Sequence, residues 1–288
     1  MAIYFLNLKS FSRSDGSSAP GAAAYRAGER IRDERTGRIH DHTSRQDVLH
    51  KEIVLPSGFA DSEMSWARDR SVLWNAAEAA EGRKDSRVAR EYLVALPVEL
   101  DHRQRIAVVR EFAHELVERY RFALDVSVHG PRDFPGSDPR NFHAHLLATT
   151  REVGIDGLVA KTMAEMHDLR RRRMGLRPSL EDLLAVRERW ASLANAALEQ
   201  AHIDARIDHR SLAARGLAPA AAAAQAAAAA PGAAAERAVG YLGLEETRRR
   251  ARENWLRLRQ QMAGKESAAA DERDATRESE HRDDGLAR

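Results

Sequence analysis

The segment Asn141-Phe142-His143-Ala144-His145-Leu146-Leu147 holds the sharpest concentration of chemistry in the sequence. Alternate residues of a strand point to opposite faces, so His143 and His145 share one face and Phe142, Ala144 and Leu146 the other. Upstream, Asp125-Val126-Ser127-Val128-His129 places Asp125, Ser127 and His129 together, opposite Leu124, Val126 and Val128. If the two strands form a hairpin across the Pro/Gly/Asp-rich stretch Gly130 to Arg140, His129 falls beside the His143/His145 pair. Three neutral imidazoles can then hold a divalent cation and leave positions open for substrate oxygens. By spacing alone, a pair of surface histidines fits the H-x-H pattern equally well.

A second candidate lies near the start, in Ser12-Arg13-Ser14-Asp15-Gly16-Ser17-Ser18-Ala19-Pro20-Gly21-Ala22-Ala23-Ala24-Tyr25-Arg26-Ala27-Gly28-Glu29-Arg30. A polar loop runs into a helix of small residues that carries one tyrosine. Small neighbours let a phosphodiester backbone approach, and Arg13, Arg26 and Arg30 are candidates to neutralise phosphates. Taken alone, Tyr25 reads first as a packing aromatic, and its neighbours, not its identity, single it out.

The elements that must position these residues are of mixed type. Ile106, Val109, Ala113, Leu116, Val117 and Tyr120 fall on one helical face. Leu183, Trp190, Ala194 and Ala197 do so within a helix over Ser179 to Gln200, which starts at Pro178-Ser179. Trp66, Leu73 and Ala77 point to a helix beginning near Asp61-Ser62. The strand candidates are Ile3–Leu8, Glu91–Leu96, Phe122–His129 and Phe142–Thr149. The class is α+β.

Of 288 residues none is cysteine, so there is no disulfide framework, thiolate metal site or cysteine nucleophile. No apolar run approaches the roughly 20 residues of a membrane span. The first residues, Met1 to Lys9, read as a strand and not as a signal peptide, which makes the cytoplasm the expected location. Composition shifts near Arg210: residues 1–215 form the expected folded domain, 216–235 an Ala-rich linker, 236–264 a charged helix and 265–288 a disordered tail. The tail holds five basic and eight acidic residues, so the total of +2 conceals +5 on residues 1–264.

An ordered series of motifs carries a resemblance. Tyr25-Arg26-Ala27-Gly28-Glu29-Arg30 is followed by Asp33-Glu34-Arg35-Thr36-Gly37, His50-Lys51-Glu52-Ile53-Val54-Leu55-Pro56 and Leu73-Trp74-Asn75. Arg83-Lys84-Asp85-Ser86-Arg87-Val88-Ala89-Arg90-Glu91 runs on through Leu96-Pro97-Val98-Glu99-Leu100. His143-Ala144-His145-Leu146 and Arg206-Ile207-Asp208-His209-Arg210-Ser211 come next, in the same order. Together they resemble the MobA/MobL family of plasmid mobilisation relaxases, single-tyrosine members of the HUH endonucleases, over residues 1 to 216.

The resemblance implies an antiparallel sheet of about five strands flanked by helices, and a nickase that cuts one strand at a plasmid origin of transfer. In that scheme Tyr25 attacks the scissile phosphate and remains on the DNA 5′ end, and His143, His145 and His129 ligate a divalent metal, Mg2+ or Mn2+. The implied partners are single-stranded or melted origin DNA, accessory mobilisation proteins and a coupling protein. The implied life cycle includes passage to a recipient cell with the DNA. A tyrosine hydroxyl ionises near pH 10, so attack at neutral pH calls for a cation or base nearby. Glu91 is the candidate carboxylate, either orienting a ligand histidine or accepting the tyrosine proton; a surface ion pair with an arginine is its alternative. Arg90, Arg206 and Arg210 are candidate phosphate contacts, as is the basic run Arg170 to Arg173, although ion pairs and a solvated face explain such residues too.

The sequence departs from the family pattern at several points. The interval between His129 and His143 is longer than usual, Phe142 stands where proline is common, and Phe5 stands where a histidine is frequent. Two rival functions share the residues: a replication initiator or transposase of the HUH type, in which the tyrosine usually follows the histidines, and a DNA-binding remnant without catalysis.

Overall fold

In the computed structural model, residues 2–132, 137–210 and 214–215 are described. The expected linker, charged helix and acidic tail (216–288) lie outside them, as does Ser211.

The centre is an antiparallel sheet. In chain order its strands are β1 (Leu6–Ser12), β4 (Val48–Val54), β5 (Arg87–Ala95), β6 (Phe122–His129), β7 (His143–Gly154) and β8 (Gly157–Lys161). They stand in the order β1-β5-β7-β6-β4, with β8 pairing the far end of β7. Two short strands, β2 (Arg30–Arg32) and β3 (Ile39–Asp41), form a separate ribbon. The sheet therefore has six strands where the resemblance implies about five.

One face of the sheet is covered by α4 (His102–Tyr120) and α6 (Ser179–Gln200). Asp101 and Gln104 form a reciprocal cap at the start of α4, which satisfies backbone donors that the first turn leaves free. Its apolar stripe, Val108, Val109, Phe112, Ala113, Leu116, Val117 and Tyr120, is buried against Tyr92, Val94, Leu124, Val126, Val128, Ala144 and Leu146. Trp190 of α6 meets Phe112 with ring centroids 5.2 Å apart.

The opposite face lies under α1 (Ala19–Ala27), α2 (Ser65–Arg68) and α3 (Arg70–Ala79). Ser18 caps α1 through the Gly21 amide, Pro20 fits its first turn, and Gly28 ends it at φ +60°. Ala19, Ala22, Ala23 and Ala24 pack with Leu73, Trp74, Ala77, Ala89, Ala123 and Leu147. Small side chains bring α1 close to the strands.

The expected single helix from Asp61-Ser62 is two helices, because Asp69 leaves helical geometry (ψ +115°) and its carboxylate caps the Val72 amide. The first strand begins at Leu6 and not Ile3, β5 begins at Arg87 ahead of Glu91, and β7 runs on past Thr149 because its end pairs with β8.

Candidate active site

β6 and β7 pair in a register that sets His129 opposite His143 and Ser127 opposite His145. All lie on the face under α1 and α3. The long interval between the strands leaves this register intact, since a loop grows without altering the ladder it closes. The imidazole centroids are 5.2 Å (His129–His143), 4.6 Å (His129–His145) and 5.1 Å (His143–His145) apart. One nitrogen from each ring lies within 4.8 Å of the other two.

Hydrogen bonds fix which nitrogen each ring presents. A carbonyl or carboxylate only accepts, so the nitrogen facing it carries the proton. His145 donates from Nδ1 to Glu91 Oε1 at 2.6 Å, and His143 donates from Nδ1 to the Asn141 carbonyl at 3.2 Å. Both leave Nε2 with a lone pair. His129 is reversed: Nε2 donates to the Arg26 carbonyl at 2.7 Å, and Nδ1 accepts from Arg45 Nη2 at 3.2 Å. His143 and His145 thus each offer an Nε2 lone pair, while the one lone pair of His129, on Nδ1, is engaged by Arg45.

Burial and the neighbouring imidazoles hold His129 well below its usual pKa, and burial with His145 beside it brings His143 down to about 3. Both rings are neutral at working pH, as ligation requires. Three neutral imidazoles on one side, backed by a carboxylate, fit a divalent cation that would displace Arg45 from His129 Nδ1.

Glu91 is 3% exposed. Its Oε1 accepts from His145 and from Arg26 Nε. Burial opposes its charge, but the Arg26 guanidinium and His145 outweigh burial and keep the carboxyl well below the usual range. The contact fixes the proton of His145 on Nδ1, and the alternative of a surface ion pair does not describe a group this buried.

Tyr25 lies on α1, one position before Arg26, and its ring meets His42 edge-on at 5.2 Å. Its hydroxyl oxygen accepts from Arg132 Nη2 at 2.9 Å. Arg45 covers the ring at 4.3 Å and donates to the Tyr25 carbonyl at 2.8 Å. Asp47 joins the two arginines: Oδ2 accepts from Arg132 Nε at 3.1 Å, while Oδ1 and Oδ2 accept from Arg45. Burial opposes the charge on Asp47, and the two guanidiniums hold its carboxyl well below the usual range regardless.

The expected arginines divide. Arg13 donates to Glu78 and to the carbonyls of Glu78, Glu81 and Arg83, so it ties the loop before α1 to the end of α3 and does not present its guanidinium to a phosphate. Arg26 is turned inward on Glu91, and Arg90 pairs with Glu165 at 2.6 Å on the α6 side of the sheet. Arg171 is buried against Asp182, whereas Arg170, Arg172 and Arg173 are exposed. Arg30 is open to solvent, with Asp41 3.8 Å away. Arg206 donates to nearby carbonyls and Arg210 chelates Asp208, both on the surface. Arg90, Arg206 and Arg210 are not brought to the histidines by any of these contacts.

Sequence reasoning missed Arg45, Asp47 and Arg132. The usable signal was Arg45-Gln46-Asp47 at the entrance of a strand, and an arginine three positions after a candidate ligand.

Asp125 anchors the same face from behind. It accepts from Arg70 at 2.7 and 2.9 Å and from Trp74 Nε1 at 2.9 Å, which fastens α3 to β6.

Comparison with known proteins agrees with this architecture. The model of the MobA/MobL family matches residues 17–231. "Mobilization protein MobL" of Acidithiobacillus ferridurans is 41% identical over 237 residues, which covers 75% of this chain and 60% of that protein. "Probable mobilization protein MobA" of Bifidobacterium longum (strain NCC 2705) is 32% identical over 247 residues, 75% of this chain and 42% of that one. The chain thus spans less than two thirds of either relative. A solved structure described as "Molecular Basis of Vancomycin Resistance Transfer in Staphylococcus aureus" is 27% identical, with a TM-score of 0.58 over 73% of this chain and 100% of that one. No helix among the described residues is long and apolar enough to cross a membrane.

Proposed function

The chain belongs to the MobA/MobL family, and on that premise we propose that it nicks and rejoins one DNA strand at an origin of transfer, through a covalent bond to Tyr25. The observation that carries the reading is the docking of the tyrosine's helix on the histidine cluster: the residue after Tyr25 gives its carbonyl to His129.

In the proposed reaction the Tyr25 oxygen forms a bond to the scissile phosphorus, and the bond from phosphorus to the 3′ oxygen breaks. The phenol proton goes to solvent water and the departing 3′ oxygen takes one from it, leaving a 5′-phosphotyrosine and a free 3′-OH. One ester replaces another, so the 3′-OH rejoins the strand by reverse attack without ATP. A divalent ion held by His143 Nε2, His145 Nε2 and, with Arg45 displaced from it, His129 Nδ1 would supply charge stabilisation on the phosphate oxygens. Glu91 keeps the His145 tautomer that leaves Nε2 free, and Arg26 holds Glu91 ionised. Arg30, exposed just beyond α1, is a candidate contact to the DNA backbone. The partners in this reading are single-stranded or melted origin DNA, accessory mobilisation proteins and a coupling protein, in the bacterial cytoplasm.

The test starts from a pool of single-stranded oligonucleotides of random sequence, incubated with the full chain and Mn2+. Adducts that survive SDS are recovered and sequenced to define a cleaved oligonucleotide. The expected outcome is an adduct with the unaltered chain and none with Tyr25→Phe or with a chelator present. An adduct formed by Tyr25→Phe would sink the assignment, and an unaltered chain that forms none with any sequence would favour the non-catalytic remnant.

A further inference from the structure

We infer that Arg132 is a further catalytic residue, one that holds the attacking oxygen of Tyr25 and then contacts the phosphoryl group received by it. The inference rests on the nicking reaction proposed above and adds to it a group outside the histidine cluster.

The position of Arg132 is built and not incidental. The Gly130 amide donates to the Asp47 carbonyl at 2.8 Å, so the β4–β6 pairing continues one residue past His129 into the long loop. A side chain at Gly130 would press on Leu49, since a Cβ there would lie 3.1 Å from its Cδ1. Two residues on, Arg132 turns back to the same Asp47 through Nε at 3.1 Å. The carboxylate that receives it is 9% exposed and is also held by Arg45. With Nε fixed, the fork directs Nη2 to the Tyr25 hydroxyl oxygen at 2.9 Å. The side chain of Arg132 is 43% exposed, which leaves the outer edge of the fork open to an arriving strand.

The chemistry follows from the group. A guanidinium stays charged at any working pH, so Arg132 donates and never serves as the base. It engages one lone pair of the phenolic oxygen and leaves another for phosphorus. As the new O–P bond forms, negative charge sits on the phosphate oxygens beside that oxygen, within reach of the same planar fork. Arg45 against the ring face and Arg132 at the hydroxyl hold the nucleophile from two directions.

The test uses the full chain and the cleaved oligonucleotide recovered by adduct selection. Single-turnover adduct formation is measured at saturating DNA for the unaltered chain, Arg132→Gln and Arg132→Lys. DNA affinity is measured separately for Tyr25→Phe and for Tyr25→Phe/Arg132→Gln, in which there is no hydroxyl to hold. The expected result is a loss of about a hundredfold in rate for Arg132→Gln, partial recovery in Arg132→Lys, and affinities of the two phenylalanine variants equal within about threefold. A rate for Arg132→Gln within about twofold of the unaltered chain would overturn the inference. An affinity loss in the phenylalanine background as large as the rate loss would also overturn it, since Arg132 would then be a general DNA contact. Failure of the unaltered chain to form any adduct is a separate result that removes the nicking reaction and this inference with it. Arg132 is half-exposed, and equal melting temperatures of the variants confirm that rates are compared between folded proteins.

Discussion

Glu91 Oε1 and His145 Nδ1 lie 2.6 Å apart although the residues are diagonal neighbours, with Glu91 opposing Leu147 and His145 opposing Leu93. Diagonal pairs on one sheet face are within reach of long side chains. Two substitutions separate the roles of this carboxylate. Glu91→Gln keeps the shape but loses the charge that orients the imidazole, and is expected to weaken Mn2+ binding by about 10- to 100-fold in calorimetry. Glu91→Ala also strands the buried Arg26 guanidinium and is expected to cost about 3–5 kcal/mol in urea unfolding. Unchanged Mn2+ affinity in Glu91→Gln would remove the orienting role.

Acid is expected to destabilise the metal-free protein earlier than its carboxylates alone would dictate. His129 and His143 have folded pKa values below the unfolded value near 6.5, so their contribution is complete above that pH. As pH falls the unfolded chain takes up protons that the folded chain refuses until about 3 at His143, and stability declines across that window. The limiting slope is about 1.4 kcal/mol per pH unit for each ring. Glu91 acts in the same direction lower down, its contribution present above the unfolded carboxyl value and lost as pH falls. Urea midpoints between pH 7 and pH 5 measure the effect; a flat profile contradicts it, and His143→Asn should reduce it.

The legible parts of this protein were those in which local pattern and tertiary environment agree. Phe122–His129 and Ser179–Gln200 are found at the residues their patterns give, because one is a continuous buried strand and the other a long periodic helix. The histidine face was legible too, since alternation is geometry and needs no partner. β4 escaped notice because His50, Lys51 and Glu52 interrupt its apolar residues at the sheet edge, where Glu52 meets Arg110 of α4. β8 escaped because its residues are half-exposed or exposed, so no buried face marks it in the sequence. Arg13 was read as a phosphate contact because its partner, Glu78, is 65 positions away. Pairings at that distance are settled by packing, which no local window contains.

Gly28→Ala is expected to destabilise by about 1–2 kcal/mol. Gly28 has φ +60°, and an added Cβ would lie 3.2 Å from Val48 Cγ2 at the start of β4. The strain falls at the end of the helix that carries Tyr25 and Arg26, so adduct formation should slow by more than the loss of folded protein explains. Thermal melts alongside single-turnover rates distinguish the two effects, and equal stability would show that the turn tolerates a side chain.

Metal preference should follow the donor set. Three imidazole nitrogens suit transition ions better than Mg2+, which favours oxygen. Calorimetry with each ion alone is expected to show Mn2+ binding at least about tenfold tighter than Mg2+. His143→Ala should weaken Mn2+ by a similar factor or more. Equal affinity for both ions would indicate that oxygen donors dominate the site.

The acceptor for His129 Nε2 is the main-chain carbonyl of Arg26. Every residue type carries that group, so no substitution at position 26 deletes it. The tautomer of His129 is thereby inherited from the path of α1 and not from any side chain. The same few backbone atoms place Tyr25, which ties the tyrosine and the imidazole to one stretch of helix: a shift that carried Tyr25 away would also release the His129 ring to turn over. Substitution can erode the arginines and carboxylates around this centre one at a time, but the link between its two halves is lost only if the helix itself is re-routed.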